Sequence, residues 1–119
     1  MGLWRQGHVR AVERVHDPVE ADALVLAHLV DLGCDPHRLR ECRHYLYVPS
    51  ELGAHSVASS LNAAGEWAAE VEEVHDAWLV TATTFTGLDH DVVRGTRARF
   101  ERLAHDHGGE YDGWEAAAD

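Results

Sequence analysis

The amino-acid sequence predicts an α+β fold of the ferredoxin-like kind, a four-stranded antiparallel sheet in βαββαβ order with an additional N-terminal helix. Three observations lead there. Helix-start signals recur at Asp17-Pro18, at Ser50 after Pro49, and at Asp89, each followed by a segment with apolar stripes. Between them lie runs rich in aromatic and β-branched residues, Cys42–Val48, Trp67–Val74 and Ala77–Phe85. The chain then closes on Gly108-Gly109-Glu110-Tyr111-Asp112-Gly113-Trp114-Glu115, which is too aromatic for a linker and too charged for a core strand. It reads as an edge strand pinned by Tyr111 and Trp114 and kept wet by Glu110, Asp112 and Glu115.

Residues 1–16 form an N-terminal segment whose structure the sequence does not decide: Val9–Val15 suits a short strand or the first turns of a helix. Residues 17–119 read as one domain. Asp17 as N-cap, Pro18 at the first helical position, Glu20 as capping-box acid and Gly33 as terminator define a helix over about 18–32. Its body, Ala23–Val30, is apolar nearly all round, so cover on more than one side is expected, against the sheet or its rim. In strand 42–48, Leu46 and Val48 point one way and Tyr45 and Tyr47 the other, with the tyrosines expected beneath the extra helix. Ser50 opens a second helix with Ala54, Val57, Ala58 and Leu61 on one stripe, closed by Gly65. Two strands then meet at His75-Asp76 in hairpin spacing. The last helix, about 90–107, has Val93, Thr96, Phe100, Leu103 and Ala104 on its apolar side. Its arginines, Arg94, Arg97, Arg99 and Arg102, are expected on a solvated face, with Arg97–Glu101 and Arg102–Asp106 as i,i+4 pairs.

The chain has 119 residues, enough to bury a core unaided. Its 21 acids against 10 bases, all arginine, give a net charge of -11, which repels phosphate backbones and favours cationic partners. Direct nucleic-acid binding is therefore not expected. Tyr45 and Tyr47 sit where RNA-binding βαββαβ domains carry stacking aromatics, but the third strand, Ala77–Thr83, lacks the accompanying glycine, aromatic and basic pattern. Cys34 and Cys42 lack disulfide or zinc spacing and read as reduced thiols. No apolar run reaches membrane-spanning length and the N-terminus lacks the order of a signal peptide, so a cytoplasmic, membrane-free protein is expected. His105 and His107 face apart on a helix, which is the wrong spacing for a metal pair, and they are expected to meet the negative helix end instead. With no nucleophile elbow, phosphate loop or convergent polar set, neither catalysis nor a cofactor is expected. Two acidic clusters carry a positive meaning. Glu66, Glu70, Glu72, Glu73 and Asp76 crowd the hairpin, and Glu110, Asp112, Glu115 and Asp119 crowd the end. Brought together, they would form one field suited to an arginine- or lysine-rich protein partner.

The closing run, together with His44-Tyr45-Leu46-Tyr47, Trp78, Leu103-Ala104 and Glu20 with Gly33 and Asp35, resembles the RraB family, the regulators of ribonuclease E activity B. The similarity runs from about Asp17 to Glu115. It implies a non-catalytic ferredoxin-like protein that binds ribonuclease E and restrains RNA degradation. His44, Tyr45, Tyr47, Trp78, Gly109, Tyr111, Gly113 and Trp114 would then be motif residues of the scaffold, and Glu70, Glu72, Glu73, Asp76, Glu110, Asp112 and Glu115 would meet the partner. Two features depart from the family pattern: only five residues follow Trp114, and there is no lysine. A small acidic interaction module of the same fold with another partner is the alternative reading.

Overall fold

Side-chain oxygens open all three helices. In the computed structural model, which describes residues 8–10 and 17–118, the elements run β1 (His8–Arg10), α1 (Pro18–Asp31), β2 (Arg40–Val48), α2 (Glu51–Ala63), β3 (Ala68–Val74), β4 (Ala77–Thr86), α3 (His90–Asp106) and β5 (Glu110–Ala117). Asp17 accepts from the Glu20 amide, Ser50 from Gly53 and Asp89 from Val92, satisfying N–H groups that a helix start leaves unpaired. The β3–β4 hairpin turns at His75-Asp76 as its spacing implied, with His75 at φ 57°.

The sheet has five strands rather than four, all antiparallel, in the order β1-β5-β2-β4-β3. β5 is therefore not an edge. Val9 pairs with Ala116, so the short β1 takes the outer position and β3 forms the other edge. Three residues make too brief an alternation to mark a strand in the sequence, and the partner lies at the far end of the chain. Residues 11–16 and Asp119 lie outside the described residues.

All three helices pack on one face of the sheet. Ala21, Val25, Leu26 and Leu29 of α1 join Val9, Cys42, Trp114 and Ala116, with Val93 of α3 beside them. Ala54, Val57 and Leu61 of α2 and Phe100 and Ala104 of α3 cover Leu46, Val48, Val80 and Ala82. Strand alternation puts Tyr45 and Tyr47 on the opposite face, so they do not lie beneath α1. Nor is α1 covered all round: one stripe is buried while Val19, Leu24 and Val30 are exposed. A helix needs only one covered side, and scattered exposed aliphatics are ordinary on a protein surface.

The register of β5 on β2 explains the spacing of the closing run. His44 faces Trp114 and Leu46 faces Tyr111, so the single Tyr45 is opposed by both Asp112 and Gly113. This is a β-bulge, and Gly113 takes φ 96° in it. Tyr111 and Trp114, three positions apart, would face opposite ways in a regular strand. The extra residue turns both toward the helices.

Candidate functional site

Around that bulge the side chains of four elements form a buried polar network. Asp22 lies in the covered stripe of α1, and Arg97 on α3 donates to both its oxygens, Nε to Oδ2 and the terminal nitrogen to Oδ1, each at 2.7 Å. Trp114 of β5 donates its indole N–H to Asp22 Oδ1 at 2.8 Å. The Arg97 guanidinium also sits 5.1 Å from the Tyr111 ring centroid, and the Tyr111 hydroxyl is hydrogen-bonded to His44 Nδ1 at 2.7 Å. His44 in turn stacks on Phe100 at 4.7 Å with its ring nearly parallel, and meets Trp67 edge-on. Burial, reinforced by the nearby Arg97 charge, pushes the His44 pKa down to about 3, so the imidazole is neutral.

Arg97 was expected on the solvated side of its helix, but it is only 6% exposed. Val93, Arg97, Phe100 and Ala104 follow i, i+4, i+7, i+11 spacing, which puts Arg97 on the buried stripe. It still reaches Glu101 at 3.7 Å, as the pairing implied, yet its anchor is Asp22. Asp22 was not singled out from the sequence. The signal was there: an acid between Ala21 and Val25 on the inward stripe of a helix. His107 donates its Nδ1 hydrogen to the Leu103 carbonyl, the contact with the helix end that its position implied.

The acidic residues divide into three groups. Glu115 is 1% exposed, because Arg10 of β1 donates to its Oε1 at 2.8 Å and the Tyr45 hydroxyl lies 3.5 Å from its Oε2. Arg10 also reaches Asp112 and packs 5.2 Å from the Tyr45 ring centroid. Glu115 thus ties β1 to β5 and offers nothing to a partner, contrary to expectation. Glu110 and Asp112 are exposed on β5. Glu70, Glu72 and Glu73 on β3 and Asp76 in its turn are exposed along the opposite edge. β2 and β4 lie between, three interstrand spacings or about 14 Å, so the hairpin and C-terminal acids form two regions instead of one. Tyr47 is half-buried on the helix-free face opposite Leu79, while Phe85 is exposed on the same face at the far end of β4, opposite Glu41. Trp78 packs against the core at the hairpin end. Gly109 is held by space: a Cβ there would collide with the Tyr47 carbonyl oxygen.

A cleft of about 610 Å³ opens between the start of α3, the end of β4 and the loop leading into β3. Trp67, Val92 and Val93 wall it, His44 and Trp114 lie at its floor, and the exposed Glu66 sits at its rim. The Thr84 hydroxyl donates to the Glu66 carbonyl at 2.7 Å and fixes that rim. Cys42 also lines the cleft, but burial pushes its thiol up to about 12, so it is not an activated nucleophile. Among the described residues no group of three or more His, Cys, Asp or Glu side chains is placed to hold a metal ion.

The sequence model of one family, RraB, regulator of ribonuclease activity B, matches residues 19–116. The chain belongs to the RraB family. The match takes in Asp22, His44, Arg97, Tyr111 and Trp114, and with them the whole network around the bulge, while β1 falls outside it. No curated protein matches the chain. Regulation of ribonuclease activity, the description that the RraB family carries, points to a protein partner. No helix among the described residues of this RraB-family chain is long and apolar enough to cross a membrane.

Proposed function

We propose that this RraB-family chain binds ribonuclease E in the cytoplasm and restrains RNA cleavage by protein–protein contact, without catalysing a reaction itself. The family match over residues 19–116 carries the reading. The outer strand β3 supplies the contact surface. Glu70, Glu72, Glu73 and Asp76 are exposed on or beside one sheet edge, and a net charge of -11 attracts a basic, RNA-binding segment. Carboxylates held along a strand compete with RNA phosphates for the same arginines and lysines. Glu110 and Asp112 lie too far round the sheet to share that contact, and Glu115 belongs to the scaffold. His44, Tyr45, Trp78, Gly109, Tyr111, Gly113 and Trp114 build the platform, and Tyr47 borders the helix-free face.

The test is a titration of the purified protein against the ribonuclease E of its own source, following complex formation and RNA cleavage together. Saturable binding that slows cleavage is expected, weakening with salt. Reversal of Glu70, Glu72 and Glu73 to arginine should weaken it at least tenfold. Absence of binding at micromolar concentrations would overturn the choice of partner, and would favour an acidic interaction module that meets another basic protein.

A further inference from the structure

The cleft beside β3 plays no part in the scaffold network beyond sharing His44 and Trp114 at its floor, and its chemistry is unlike that of the acidic edge. We infer that it receives an arginine side chain projecting from the protein partner, an inference that rests on the reading of the chain as a protein-binding regulator. Its volume of about 610 Å³ exceeds what one side chain fills, leaving room for the adjoining main chain. Trp67 presents aromatic surface, and a planar guanidinium stacks on such a ring better than a compact ammonium does. Glu66 is the one carboxylate among the described residues lining the cleft, and its rim position suits the charged end of an arginine entering over the Trp67 ring. The Trp67 indole N–H is buried and meets no acceptor among the described residues. A carbonyl brought by the incoming segment would satisfy it. Glu66 also lies just before β3 in the chain, so the cleft opens beside the same sheet edge that carries Glu70, Glu72 and Glu73. A nucleotide is a poorer occupant, because its phosphate would meet the same carboxylates that favour arginine.

The direct test uses acetyl-arginine amide as probe and acetyl-citrulline amide, its uncharged isostere, as control, with ¹⁵N-labelled protein. The chain has four tryptophans, and the indole signal of Trp67 is assigned by its loss in Trp67→Phe. Saturable movement of that signal and of the Thr96 amide is expected with the arginine amide and not with citrulline. Glu66→Gln alters an exposed side chain, leaves the fold intact, and should weaken the response about tenfold. No movement, or equal movement with citrulline, overturns the inference. Tighter binding of free arginine than of its amide also overturns it, since the cleft would then be a metabolite site. The two readings fail separately. If ribonuclease E binds native protein and the Glu66→Gln variant equally, the arginine anchor falls and the proposed function stands. If the arginine amide enters the cleft but no ribonuclease E binds, the choice of partner falls while the cleft remains an arginine site.

Discussion

Asp22 answers three donor nitrogens from two distant elements, and this single carboxylate holds α1, α3 and β5 together. Removing it strands the buried Arg97 charge and the Trp114 N–H. Asp22→Ala should therefore cost about 3–5 kcal/mol, as broken buried ion pairs do, read as a lowered urea midpoint. His44 makes the same node sensitive to acid. Its pKa is about 3 in the folded protein against 6.5 unfolded, so between these values the unfolded chain binds the extra proton. Stability should fall as pH drops below about 6.5, by up to about 1.4 kcal/mol per unit, and should not change on this account above it. His8, pushed down by burial on β1, acts in the same direction. Urea midpoints at pH 7.5, 6.5 and 5.5 would show this, with a flatter slope in His44→Gln. The burial of Trp114 was legible in the sequence, because a large aromatic beside glycines has few other roles. The burial of Asp22 and Arg97 was not. Charged side chains read as solvated unless their partner is known, and these two are 75 residues apart.

Within β5 the glycines of the closing run have separable roles. Gly113 sits at φ 96°, a backbone region that costs L-residues roughly 1–2 kcal/mol, so Gly113→Ala should lower stability by about that amount in thermal or urea denaturation. Gly109→Ala should cost more, since its Cβ would strike the Tyr47 backbone, which cannot move without breaking β2. The sequence foretold sharp turning and close approach at these glycines. It did not foretell that two residues would oppose one, because a bulge is a property of a strand pair and its partner β2 lies more than sixty residues earlier in the chain. Caps and helix spans were legible for the opposite reason: Asp17, Ser50 and Asp89 act on amides three residues away. The two acidic patches were legible as composition, but Glu115 turned inward once β1 laid Arg10 over it.

Across the whole molecule the succession from α1 to β5 was readable and the added β1 was not, and the lateral order of the strands decided what the surface can do. The order β1-β5-β2-β4-β3 sets the β3 acids and the β5 acids apart, which gives the charge-reversal test an internal control. Glu110→Arg should leave ribonuclease E binding within about twofold of native, while the triple reversal on β3 abolishes most of it; equal losses would mean that overall charge, and not the edge, is what the partner senses. The same order bears on how the protein comes into being. β2 emerges from synthesis early and gains β4 as a neighbour, but its other side waits for β5, the last element in chain order, and β1 waits longer still for the same strand. Until Trp114 arrives, Asp22 lacks its β5 donor and α1 lacks the strand it closes upon. Long-range pairings of this kind are slow to form and cannot be completed before β5 has been made. A nascent chain would carry its acidic edge well before it had a platform to hold that edge straight, so an ordered edge should appear abruptly, once β5 has been made.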